Sequence, residues 1–154
     1  VLVIPRSLVL HYDDGVRDLV FFVRPYTVDY EFALVHEGYE LLNWFYPSLR
    51  GGVFVDVGAH VGGYSVRACG LASKVVAIEP NSHVIEVLRV NAKLNGCGDE
   101  FMIINKALGD KPGRAWLLVR NSHGVLDSPR AFISEGSRGL VMVVLSHMGW
   151  MLIL

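Results

Sequence analysis

The stretch from Gly52 to Asn81, GVFVDVGAHVGGYSVRACGLASKVVAIEPN, constrains the fold more than any other part of the chain. Val53, Phe54 and Val55 form a short apolar run without polar alternation, which suits a parallel strand buried on both faces. Asp56 stands at its carboxyl end. Gly58 and Gly62 follow, then a helix-compatible segment from about Gly63 to Ala72, so the turn between strand and helix is lined with glycine. Such a turn lets a ligand approach the backbone closely. A second apolar strand, Lys74 to Ile78, ends in Glu79, an acidic group 21 residues after Gly58. The order is that of a βαβ unit with a carboxylate at each strand end.

The glycine spacing separates the ligand classes that use such a unit. A carboxylate at the position of Glu79 can accept from two adjacent hydroxyls and so grip a ribose diol. A dinucleotide fingerprint also needs G-x-G-x-x-G, whose second glycine admits a pyrophosphate; here that position is His60. What stands instead is Asp-x-Gly-x-x-x-Gly, a form that resembles class I methyltransferases, where S-adenosylmethionine brings no phosphate. Methyl transfer is therefore expected ahead of hydride transfer. A βαβ crossover without ligand explains the glycines but leaves Asp56 and Glu79 without a reason.

A chain of 154 residues fits a single core. The net charge of −1 gives no broad nucleic-acid footprint. Cys69 and Cys97 have neither metal nor redox spacing and read as buried or incidental thiols of a reducing compartment. Pro5 and Arg6 interrupt the apolar residues at the start, so no signal peptide is read and a cytoplasmic location is expected.

In chain order, Ser7 to Tyr12 and Leu19 to Arg24 are β-type runs, and the Asp13, Asp14, Gly15 turn between them is hairpin chemistry. Residues from Asp29 to Val35 and from Glu37 to Phe45 fit one or two short helices, ended by Pro47 and by Gly51 and Gly52. Residues 1–50 thus form a hairpin and lead-in helices packed on an α/β core of residues 51–154. After Glu79 and Pro80, Asn81 or Ser82 is an N-cap for a helix to about Asn95. Its stripe of Val84, Ile85, Val87, Leu88 and Ala92 is inward, with Glu86, Arg89 and Lys93 outward and Gly96 at C′. Phe101 to Asn105 is a third strand, Leu108 to Gly113 a turn, and Ala115 to Val119 a fourth extended run pairing with its neighbour.

Five ordered pieces together resemble the FkbM-type methyltransferases, a family of S-adenosylmethionine-dependent enzymes associated with O-methylation of sugars and natural products. They are RPYTVDYEFALVHEGYE, VFVDVGAHVGGYS, VVAIEPN, NAKLNG and NKALGDKPG, and from Arg24 to Gly113 they span 90 of the 154 residues. The resemblance implies a Rossmann-like class I methyltransferase sheet with an N-terminal hairpin and helical extension. It also implies that Asp56, Gly58, Ala59 and His60 line the methionine end of S-adenosylmethionine, with Gly62, Tyr64 and Ser65 in the loop and the helix behind it. Glu79 would hold the ribose, Pro80 and Asn81 would flank the adenine edge, and Asn105, Lys106 and Ala107 would close over the adenine ring. The family more often has Asn where this chain has His60.

The chemistry asked of such a site is to align an attacking oxygen with the S–CH₃ bond and to exclude water. His60 and His36 are the candidate bases, although packed or solvent-facing histidines are commoner. Glu37 and Glu40 could touch the methionine ammonium, but carboxylates on a helix surface are usually only solvated. The carboxyl end departs from the family: its Asp-x-Glu-Gly segment is absent, neither Asp nor Glu follows Glu135, and the chain finishes in LVMVVLSHMGWMLIL. At 15 residues this run falls short of the roughly 20 that span a bilayer. A fourth parallel strand, Leu140 to Leu145, with apolar surface left for self-association is one reading. The preferred one is truncation or a shifted reading frame that alters the core after about residue 120, so that cofactor binding is expected to survive and turnover is not. The expected acceptor is a sugar or small-molecule hydroxyl. Two alternatives remain, an RNA methyltransferase, disfavoured by the lack of an Asn-Pro-Pro-like segment, and a non-catalytic cofactor-binding or assembly domain.

Overall fold

The computed structural model describes residues 8–13, 17–34, 46–109, 112–118, 121–122, 125–126, 132–134 and 141–146. Strands β1 (Leu8–Asp13) and β2 (Asp18–Val23) pair antiparallel from Leu8↔Val23 to Asp13↔Asp18, as the two β-type runs require. Burial alternates along β2, with Leu19, Phe21 and Val23 inward, the period of a strand with one face on a core. These three join Ala33, Val61, Val66, Val84 and Val87 in one cluster, so the hairpin packs on the helices of the βαβ unit. Each buried side chain of this kind contributes about 1.5–3 kcal/mol. Helix α1 (Asp29–Leu34) supplies Ala33 to the cluster and Phe32 at its edge.

The βαβ unit follows. Strand β3 (Val53–Val57) leads through a turn to the short helix α2 (Ser65–Ala68), then to β4 (Lys74–Ile78), helix α3 (Ser82–Leu94) and β5 (Phe101–Ile104). The three strands form a parallel sheet in the order β3-β4-β5. The helix expected from Gly63 to Ala72 is thus confined to α2, and residues 69–73 run on as turns and bends. Burial of β3 on both faces needs a further correction. Among the described residues β3 pairs only with β4, and Val53 and Val57 are each 53% exposed.

Helix α3 is read correctly in detail. Asn81 is its N-cap, with the side-chain oxygen accepting from His83 N, and Val84, Ile85, Val87, Leu88 and Ala92 form its buried stripe. Gly96 closes it, donating to the Lys93 carbonyl. Two further inward positions are polar. The Asn91 side-chain Oδ1 accepts from Phe22 N at 2.7 Å, and its Nδ2 donates to Val61 O. Asn95 accepts from Val20 N and donates to Val20 O. One turn apart on the helix, these amides satisfy the edge of β2 in place of a neighbouring strand.

The cysteine expectation is overturned. Cys69, just after α2, and Cys97, just after α3, form a disulfide with a Cα–Cα distance of 5.7 Å. The crossover brings together positions 28 apart in sequence, a pairing that no short motif signals. The inference of a reducing compartment from unpaired thiols therefore loses its premise. Arg17 donates to the carbonyls of Cys69 and Asn95, joining the same two helix ends.

A second sheet has the order β10-β7-β11-β6, from β6 (Ala107–Leu108), β7 (Gly113–Leu118), β10 (Phe132–Ser134) and β11 (Val141–Ser146), while β8 (Asn121–Ser122) and β9 (Val125–Leu126) pair separately. The run expected as a fourth parallel strand is β11. It lies antiparallel to β7, is parallel only to the two residues of β6, and belongs to this second sheet. Strand β7 likewise pairs with β10 and β11, not with a sequence neighbour. No helix among the described residues is long and apolar enough to cross a membrane.

Candidate functional site

Parallel pairing places Asp56 opposite Ala77 and Val57 opposite Ile78, so Asp56 and Glu79 emerge at the same end of the sheet. The turn after β3 is fastened to that end by Gly58 N and Ala59 N, which both donate to the Ile78 carbonyl, at 2.8 and 3.1 Å. Two left-handed glycines shape it. Gly58 has φ 82 and is exposed, and a Cβ there would meet nothing within 4 Å, so open space lies over this part of the loop. Gly62 has φ 93, and a Cβ would come within 2.6 Å of Leu88 Cδ1 and 2.8 Å of Val66 Cγ2. The first glycine faces space that a ligand can use, and the second lets loop and helix pack.

Both carboxylates are buried and held mainly by main-chain amides. Asp56 Oδ2 accepts from Ser65 N at 3.1 Å and from Ser65 Oγ at 2.5 Å. Burial pushes its carboxyl above the ordinary value, and the Ser65 bonds oppose this. Glu79 Oε1 accepts from Asn81 N at 2.8 Å and Oε2 from His60 N at 3.0 Å. Burial also raises the Glu79 carboxyl, the two amides and the attraction of His60 lower it, and the charge of Asp56 adds to the rise. A carboxylate offers about four lone-pair sites, so two accepted N–H groups leave acceptor capacity for two hydroxyls.

His60 links this site to the N-terminal layer. Its backbone is left-handed, φ 49, which turns its N–H onto Glu79 while the ring lies buried against Phe32, centroids 4.7 Å apart. Nε2 is 3.9 Å from Asp29 Oδ1. Asp29, itself buried, is engaged by Arg24 through Nε and Nη2, both at 2.8 Å. Sequence reading missed Arg24, Asp29 and Phe32, because an acid in a first helical turn looks like ordinary dipole chemistry.

The remaining expected residues divide. The Asn105 side-chain amide donates to the carbonyls of Glu79 and Pro80, at 2.9 and 3.0 Å. The Tyr64 carbonyl accepts from the Tyr46 hydroxyl. Lys106 is exposed and donates its main-chain N–H to Ile104 O, while Ala107 is buried in β6 within the second sheet. His36, Glu37 and Glu40 lie outside the described residues. Among the described residues no group of His, Cys, Asp and Glu could hold a metal ion.

No protein-family model matches the sequence, and no curated protein matches it. Partial similarity is found among solved structures. The tRNA m1G37 methyltransferase of Methanocaldococcus jannaschii is 23% identical over 71% of this chain and 35% of its own, with a TM-score of 0.41. The tRNA (uracil-54, C5)-methyltransferase of Pyrococcus abyssi, solved with S-adenosyl-L-homocysteine, is 18% identical over 68% of this chain and 28% of its own, with a TM-score of 0.42. A precorrin 8w decarboxylase of Methanobacterium thermoautotrophicum is 28% identical over 42% and 35%, with a TM-score of 0.38. This chain spans about a third of the length of each. With superpositions this partial, the chemistry of the site rests on this chain's own residues.

Proposed function

We propose that the chain is the S-adenosylmethionine-binding core of an FkbM-like methyltransferase acting on a hydroxyl of a sugar or small molecule. One observation carries the reading: buried Asp56 and Glu79 end adjacent parallel strands and flank a left-handed loop whose Gly58 faces open space. The residues fit the group. Glu79 keeps acceptor capacity for a vicinal diol, Gly58 leaves room for a ligand against the main chain, and Asp56 holds the start of α2 through Ser65. When bound, S-adenosylmethionine supplies a sulfonium whose methyl carbon an incoming oxygen can take. The chain's own task is to fix that donor in line with the acceptor and exclude water. The His60 ring, packed between Phe32 and Asp29, serves the N-terminal layer and is not assigned as a base.

Calorimetry with S-adenosylhomocysteine is the test. Binding is expected, and Glu79→Ala should weaken it by roughly 1.5–3 kcal/mol, the range for hydrogen bonds to a charged group. Neither heat nor a thermal shift at millimolar ligand would remove the reading, and an unchanged affinity in the variant would misplace the ribose. Transfer of a labelled methyl group to sugar hydroxyls, with unmodified tRNA assayed in parallel, then separates the acceptor classes.

A further inference from the structure

We infer that Asn105 is a positioning residue for ribose recognition and acts through the main chain of Glu79; the inference rests on the adenosyl-site reading above. Strand β4 ends at Ile78, so Glu79 and Pro80 lie beyond the regular ladder, and Pro80 has no N–H with which to tie itself down. The segment is instead held from the end of β5. Glu79 N donates to Ile104 O at 3.1 Å, and the next residue, Asn105, donates its side-chain amide to Glu79 O at 2.9 Å and Pro80 O at 3.0 Å. Both partners are carbonyls, so the group that meets them is the NH₂, whose two hydrogens match two acceptors.

The consequence reaches the carboxylate through a few bonds. With the Glu79 N–H, the Glu79 carbonyl and the Pro80 carbonyl all fixed, the Glu79 Cα is fixed, and the side chain is then oriented by Asn81 N on one oxygen and His60 N on the other. Adjacent ribose hydroxyls need both oxygens in register, and a displacement of about 1 Å in a positioning group is costly. Asn105 therefore sets sugar selectivity without touching the sugar, and its amide is committed to carbonyls and not to the adenine edge.

The test compares the affinities of adenosine, 2′-deoxyadenosine and inosine for the full chain, wild type and variants. The wild type is expected to prefer adenosine over its 2′-deoxy form by about tenfold or more. Asn105→Asp, which keeps the shape but replaces the donor with an acceptor, and Asn105→Ala should bring that ratio to within about threefold. Asn105→Ser, with one donor, should fall between. The adenosine to inosine ratio should stay as in the wild type. A sugar ratio unchanged in Asn105→Asp overturns the inference, as does a change confined to the inosine ratio, which would put the amide on the base. Failure of the wild type to bind any of the three nucleosides defeats the adenosyl-site reading itself. A readout needing no substitution is hydrogen exchange of the Asn105 side-chain amide in the free wild type: slow exchange is expected, and exchange at the rate of a solvated amide overturns the inference.

Discussion

Two buried carboxylates that His60 touches from either side, Asp29 on the N-terminal layer and Glu79 just past the end of β4, are satisfied in opposite ways. Asp29 receives a guanidinium fork from Arg24 and the Arg24 main-chain N–H at 3.0 Å, so a full positive charge neutralises it in plane. Glu79 receives two main-chain N–H groups, which steady the charge without cancelling it. His60 links the two: its N–H serves Glu79 and its ring faces Asp29. The difference teaches how to tell a carboxylate that holds the fold from one held by it. The first is closed by a cation, and the second keeps lone pairs for a ligand.

The largest effect should come from opening the closed pair. Arg24→Ala leaves Asp29 as a buried charge without its guanidinium and should cost about 3–5 kcal/mol in denaturant unfolding. Asp29→Ala added to it should recover part of that loss, because the uncompensated charge goes with it. A double variant as unstable as the sum of its two single variants would break the contrast, since the pair would then show no coupling.

His60 offers a smaller and sharper test. At φ 49 a side chain without a short polar group pays the left-handed penalty of about 1–2 kcal/mol, whereas Asn tolerates that region. His60→Ala should therefore be less stable than His60→Asn by about that amount. Equal stabilities would mean that the left-handed turn is not what carries the N–H to Glu79.

What could be read in the sequence follows from how local each cause is. The bounds of β4, the Asn81 cap, the stripe of α3 and Gly96 depend on residues within one turn or one strand of each other and stand as expected, while β1, β2, β3 and β5 are each shifted by one or two residues at an end. The Cys69–Cys97 bond, the docking of β2 on Asn91 and Asn95, and the engagement of Asp29 with His60 depend on separations created only by packing. Strand β11 shows the same limit, because its apolar run fixes it as a strand but not which sheet it joins or in which direction. At the site, the residue types of Asp56, Gly58 and Glu79 were legible. The use of Asn105 was not, because an amide beside a strand end serves a base edge or a carbonyl equally well until the carbonyls are located.

The smallest predicted effect concerns the second acid of the site. Burial raises the Asp56 carboxyl above its ordinary 3.8, so the folded chain keeps that proton to higher pH than the unfolded chain does. Its contribution to stability is therefore most favourable below the unfolded value and is lost as pH rises through the raised folded value. Asp56→Asn removes that slope and can keep both bonds from Ser65, since these go to a single oxygen that an amide carbonyl can replace. At pH 7 the variant should melt about 2–4 °C above the wild type, with the gap closing in acid. A gap that stays constant with pH, or a variant less stable at neutral pH, would show that the Ser65 bonds outweigh desolvation. Asp56 would then belong with Asp29 as a carboxylate that holds the fold, and the contrast would narrow to Glu79 alone.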